Sequence, residues 1–262
     1  MFLDQPLAKK VPELAIYFWV IKVLTTGMGE VTSDYFVHTY NPYVVVALGA
    51  AILAITLLWQ LYVRRYITWV YWLAVAMVAV FGTMAAGILH VYLGVPYILS
   101  ALIYGVSLTF VFVLWYLSER TLSVHSIYTR RREMFYWAAV LATFALGTAV
   151  GDMTAVSFRL GFFASGILFA VVFAIPGVFY WLLGLHEILA FWFAYIITRP
   201  VGASFADWLA VPTSQGGLNL GKGTVSVASW TLIIAFVAYL AISHRDVARP
   251  QNGVADAATG KY

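Results

Sequence analysis

The chain has 262 residues, 63% of them hydrophobic and only 10% charged, with a formal net charge of +4 and no cysteine. Soluble domains carry about 25% charged residues, so this composition excludes a water-soluble globular protein, and the missing cysteines exclude disulfides, thiolate metal sites and thiol redox chemistry. The basic excess lies in short loops between apolar runs, where it sets membrane topology; a nucleic-acid role is rejected on that ground.

In chain order, the opening "MFLDQPLAKKVPE" is short and polar, and the apolar run after it is too long for the core of a cleaved secretory leader. A membrane helix needs about 20 apolar residues. Eight stretches qualify: 12–37, 42–63, 68–92, 96–118, 134–158, 161–183, 187–210 and 223–243. The longest connections are "SERTLSVHSIYTRRRE" (118–133) and "VPTSQGGLNLGKG" (211–223), whose "GGLNLGKG" part reads as a flexible loop. The polar tail 245–262 is expected to be disordered. With both termini in the cytoplasm, Lys9, Lys10, Arg64, Arg65, Arg120, Arg130, Arg131, Arg132, Arg245, Arg249 and Lys261 fall on the cytoplasmic side. Only Arg159 and Lys222 fall outside, and eleven against two is a strong orientation signal.

The odd spans repeat one pattern. They read "FWVIKVLTTGMGEVTSDY", "YWLAVAMVAVFGTMAAGILH", "YWAAVLATFALGTAVGDMTA" and "FWFAYIITRPVGASFADWLA". Each begins with an aromatic residue and a tryptophan (Trp19, Trp72, Trp137, Trp192), and ten residues later each has a glycine (Gly29, Gly82, Gly147, Gly202). Fifteen residues after the tryptophan come Asp34, Gly87, Asp152 and Asp207. Positions six, ten and fourteen form a small-residue stripe that lets helices approach closely in lipid. Positions three, seven, eleven and fifteen form a neighbouring polar face, richest in span one as Lys22, Thr26, Glu30 and Asp34.

Two spans per unit turn every repeat the same way up. The predicted architecture is therefore four parallel-oriented helical-hairpin repeats, about 11–66, 67–123, 133–186 and 187–244, in a single membrane domain over 1–244. The simplest arrangement is a pseudo-fourfold ring, or two pseudo-twofold halves, with the odd helices inside and the residues at position fifteen at one level in the outer half of the bilayer.

These tryptophan-marked two-helix units, together with the basic text in "YTRRREMFYWAAVLATFALGTAVGD", resemble a family of bacterial integral-membrane proteins. That family is described only as a repeat of unknown function, or as membrane-anchored protein. The resemblance covers about residues 11–243 and implies an eight-span protein of the bacterial inner membrane. It brings no activity and no site residues. The second repeat departs from the pattern, with Gly87 in place of Asp and His90 three residues on.

Charge inside a bilayer is costly, yet the spans contain Lys22, Glu30, Asp34, Asp152, Arg199 and Asp207, with His90 near an outer end. Four acids against two bases leave two acids that must be protonated, be wetted, or bind a cation. Glu30 has no acidic counterpart in the other repeats, where Thr83, Thr148 and Ala203 stand, and is the leading candidate. Lys22 lies two turns from Glu30 and is expected to find its partner on another span. Arg199 precedes Pro200, which predicts a kink or a local break. Tryptophans 19, 59, 72, 115, 137, 181 and 192 read as an interfacial belt.

The functional expectation is a small secondary transporter or channel for a divalent metal or organic cation, with proton coupling. Its binding residues would be Glu30, Asp34, Asp152, Asp207, His90, Lys22, Arg199, Thr26 and Thr148, and Glu30, Asp34, Asp152 and Asp207 are the candidate metal ligands. The partners expected are the lipid bilayer and a small cation or proton, with homo-oligomerisation left open, and no cofactor is expected. A membrane scaffold or sensor with a structural polar network is the alternative. No hydrolase, zinc-protease or phosphate-loop motif is present, so an enzyme is not expected; an intramembrane aspartyl-type enzyme would need two adjacent carboxylates.

Overall fold

The structure is a computed structural model that describes residues 10–246; past Asp246 the expected disordered tail lies outside the described residues. Among the described residues there are eight long helices: α1 (Ile16–Thr39), α2 (Pro42–Tyr62), α3 (Thr68–Gly87), α4 (Tyr97–Glu119), α5 (Arg130–Asp152), α6 (Phe162–Leu183), α7 (Glu187–Ala210) and α8 (Lys222–Ser243). Seven are long and apolar enough to cross a membrane. The eighth, α1, has the length, and its polarity comes from Lys22, Glu30, Asp34 and a run of Thr, Gly and Ser.

Two boundaries differ from expectation for local reasons. α1 begins at Ile16 and not at 12, because the preceding segment is tied elsewhere: the Lys10 N–H donates to Ile127 O (3.3 Å) and the Glu13 N–H to Asp246 O (3.0 Å). α5 begins early, at Arg130, because the Thr129 hydroxyl accepts from the Arg132 N–H (3.3 Å) and caps the helix.

The four repeat glycines set the arrangement. A Cβ on Gly29 would lie 2.7 Å from the backbone carbon of Ala79 in α3, and one on Gly82 would lie 2.7 Å from Cβ of Phe144 in α5. One on Gly147 would collide with the Arg199 side chain of α7, and one on Gly202 with the Thr26 hydroxyl of α1. Ala79, Phe144, Arg199 and Thr26 all occupy position seven of their repeats. One contact, glycine at position ten against position seven of the next odd helix, therefore runs α1 to α3 to α5 to α7 and back to α1. The odd helices form a closed inner ring, the first of the two arrangements that the repeat pattern allows.

The even helices coat this ring and are mostly exposed. α2 packs chiefly on α3, α4 on α5, α6 on α7 and α8 on α1. Each even helix thus lies mainly against the next odd helix and not the one it follows, and α8 closes the circle on the first repeat. A protein sheathed in apolar side chains such as Leu58, Leu102, Val171 and Ile234 is built for lipid.

Most of the tryptophan belt is in fact core. Trp72, Trp115, Trp137 and Trp192 are buried, while Trp59 and Trp181 are exposed. Trp192 donates to Leu122 O (2.9 Å) and sits edge-on to Trp115, with ring centroids 5.8 Å apart. The large rings fill the end of the inner ring that precedes the small-residue stripe. At this same end Lys10 pairs with Glu133, which also accepts from Gln60 (2.9 Å). Tyr66 and Thr68 donate to Asp246 (2.5 and 2.9 Å). Burial, with the Asp246 carboxylate beside it, holds the Tyr66 phenol well above its usual range, so it stays a donor.

α7 is not broken at Pro200: the helix runs unbroken from Glu187 to Ala210. The proline ring lies in the groove left by Gly147 and Gly151 of α5, which holds it in place. After position fifteen, α3 and α5 each widen into one π-helical turn, Ile88–Tyr92 and Met153–Ser157.

The glycine contact yields a direct test. Gly29→Ala forces a methyl group into the α3 backbone and should cost about 1–3 kcal/mol. Gly177→Ala, on α6 with open space around it, should leave stability unchanged or raise it slightly. Thermal melts in detergent compare the two, and equal behaviour would contradict the close approach.

Candidate functional site

The polar face of α1 places Lys22, Thr26, Glu30 and Asp34 one turn apart along the ring axis. The same positions on the other odd helices face them, so the interior is built in layers.

The first of these layers holds Lys22, which is 1% exposed. Its ammonium lies 3.9 Å from the ring centroids of both Phe144 and Tyr195 and has no hydrogen-bond partner among the described residues. The expected partner on another span is thus a pair of aromatic faces and not a carboxylate. Glu30, two turns along α1, is held by Arg199.

Arg199 forms the next layer and is fully buried. Its Nη1 donates to Thr26 O (2.6 Å), while Nη2 forms an ion pair with Glu30 and donates to the hydroxyls of Thr83 and Thr148. Glu30, Thr83 and Thr148 all stand at position eleven of their repeats. One guanidinium therefore collects that position from three helices, and the fourth, Ala203 on its own helix, is small. This buried layer stands between Lys22 and the cavity beyond.

That cavity, about 250 Å³, lies at the end of the ring away from the buried tryptophans. Glu30, Asp34, Asp152, Asp207, His90 and Thr148 line it. Six of the nine sequence-predicted residues thus meet in one space, and Arg199 forms its floor through its bond to Glu30. The other two lie elsewhere. Lys22 is in the layer below, and the Thr26 hydroxyl donates to Val23 O (2.6 Å) and Thr198 O (3.1 Å) at the crossing of α1 and α7.

Carboxylate oxygens of Glu30, Asp34 and Asp207 lie within 4.8 Å of one another, close enough to share one ion; Asp152 stands outside that trio, on the cavity wall. Asp34 pairs with Lys222 at 2.5 Å. The carboxylates of Asp152 and Asp207 make no hydrogen bond or ion pair among the described residues. His90 sits in the π turn after α3, with Nδ1 2.8 Å from Val95 O and its ring stacked on Tyr97 at 3.3 Å.

Sequence reasoning passed over several wall residues, namely Lys222, Tyr97, Ser100 and Gln215. Lys222 was legible only as an outer-side charge. Its partner became visible once "GGLNLGKG" was placed, and that segment is not the flexible loop expected. The N–H groups of Leu218, Asn219, Leu220 and Gly221 donate to Trp208, Val211, Leu209 and Ala210 O at 2.8–3.2 Å. The loop folds back to satisfy the last carbonyls of α7 and delivers Lys222 to the cavity rim.

Eight helices, an apolar sheath and a polar shaft define a multi-pass α-helical membrane protein. Within that class, the chain matches the family described as Repeat of Unknown Function (DUF347) four times, over residues 17–66, 70–121, 135–184 and 190–246, and it belongs to that family. No curated protein and no solved structure matches the chain.

The Arg199 layer should behave as a coupled unit. Arg199→Gln strands Glu30 as a buried charge and should cost about 3–5 kcal/mol. Adding Glu30→Gln to it should recover much of that loss. Unfolding of the two single variants and the double variant measures the coupling, and additive losses would mean that the pair is not formed.

Proposed function

We propose that the protein is a small cation transporter or channel, without enzymatic activity, that binds a divalent metal or small organic cation at the acidic cavity. Proton exchange on the same carboxylates would balance charge. The observation that carries this reading is the charge count at the cavity: Glu30, Asp34, Asp152 and Asp207 against only Arg199 and Lys222. Uncompensated carboxylates within a bilayer are expensive, and a bound cation or protons would offset them. The cavity also ends at the buried Arg199 and Lys22 layers, so access comes from one side. One-sided access favours a transporter over an open pore. The eleven-to-two charge bias would put the protein in a bacterial cytoplasmic membrane with this cavity facing outward.

The alternative, a scaffold or sensor with a structural polar network, draws support from the Arg199–Glu30–Thr83–Thr148 bonds. It gives no task to Asp152 and Asp207. Those two decide the test.

Thermal stability in detergent is to be measured against Mn²⁺, Mg²⁺ and small ammonium cations, for wild type and Asp207→Asn. One cation class should raise the melting temperature of wild type, and Asp207→Asn should keep the fold but lose that response. Uptake of the same cation into proteoliposomes should fall in parallel. A well-folded Asp207→Asn protein alongside a wild type that no cation stabilises would refute the transport reading.

A further inference from the structure

A second cavity lies at the opposite end of the bundle, where α2 ends and α3 begins. Trp59, Tyr62, Arg64, Ile67, Trp69 and Arg130 enclose about 450 Å³ there. The guanidinium groups of Arg64 and Arg130 are exposed and have no acceptor among the described residues. This contrasts with their neighbours Arg131 and Arg132, which pair with Glu119 at 3.5 and 2.8 Å. No acidic residue lines the pocket.

Two further features suit an anion with a lipid tail. α3 starts at this pocket, and its N-cap residue Ile67 offers no side-chain cap to the first backbone N–H groups; the carboxylate at that helix start, Asp246, is taken up by the hydroxyls of Thr68 and Tyr66. Trp59 and Trp69 stand edge to face, 4.8 Å apart, and both are exposed. Indoles at this level suit the boundary between headgroups and hydrocarbon. Beyond Trp59, the exposed Leu58 and Ile55 of α2 continue an apolar track toward the middle of the membrane. A free soluble anion has no use for that track; an acyl chain does.

We propose that this pocket holds the headgroup of an anionic phospholipid, with Arg64 and Arg130 on the phosphate and Trp59 and Trp69 against the glycerol region. The site is separate from the acidic cavity and does not depend on the transport reading. It would tie the α2–α3 connection and the start of α5 to one lipid.

Native mass spectrometry of the purified protein, with phosphatidylglycerol and phosphatidylcholine titrated in parallel, tests this. Phosphatidylglycerol should be retained in preference to phosphatidylcholine. Arg64→Gln and Arg130→Gln should each weaken its binding about fivefold, the scale of one basic residue at an anionic surface. Arg65→Gln, adjacent and of equal charge but outside the pocket, should change it less than about twofold. Melting in phosphatidylcholine should be the same for all four proteins, since neither pocket arginine has a partner among the described residues. An equal loss with Arg65→Gln would mean diffuse charge attraction and overturn the site. Full competition by millimolar inorganic phosphate would point to a soluble anion and overturn the lipid assignment. A fall in melting temperature confined to the pocket variants in phosphatidylcholine would make the arginines structural.

Discussion

In lipid, helices gain little from burying apolar surface against each other, so association depends on how closely their backbones approach. Here that approach is set by one residue per repeat, the glycine ten positions after the tryptophan. Gly29, Gly82, Gly147 and Gly202 each receive the residue at position seven of the next odd helix. Four copies of one contact close the ring. The contact also aims the side chains: Arg199 is itself a position-seven residue, and its stem lies across Gly147. That placement directs its guanidinium into the axis, where Glu30, Thr83 and Thr148 meet it.

The frame is nearly fourfold, but the site within it is not. Position eleven carries Glu30, Thr83, Thr148 and Ala203, and position fifteen carries Asp34, Gly87, Asp152 and Asp207. Among the described residues one arginine and one lysine reach these two layers, and they neutralise Glu30 and Asp34. Repetition supplied a scaffold in which four equivalent positions converge, and divergence among the repeats made them chemically different. The two remaining aspartates line the cavity without an ion-pair partner among the described residues. In this chain the polar residues of the shaft therefore lie in the differences between repeats and not in their common motif.

Much of this was legible in the chain. Eight apolar stretches, four tryptophan-to-glycine registers and three aspartates in one column are local periodicities, and a helix converts a periodicity directly into a face. The inner ring followed from the same stripe. Other features were not legible. The buried Trp72, Trp115, Trp137 and Trp192 look in sequence like a lipid-facing belt, because a tryptophan near a helix end suits either place. The partner of each even helix, the fold-back of 218–221 and the reach of Lys222 to Asp34 depend on how α7 and α8 lie around α1.

Spacing along single helices was enough to read the class, the eight long helices, the repeat and the shared register of the acids. Which charges meet could be read only from the folded bundle. Lys22 and Arg199 are both cations inside spans, yet one rests between Phe144 and Tyr195 while the other binds Glu30. The difference arises because partners in a shaft are chosen across the ring, by the register of neighbouring helices and the reach of each side chain. A single helix's sequence records neither.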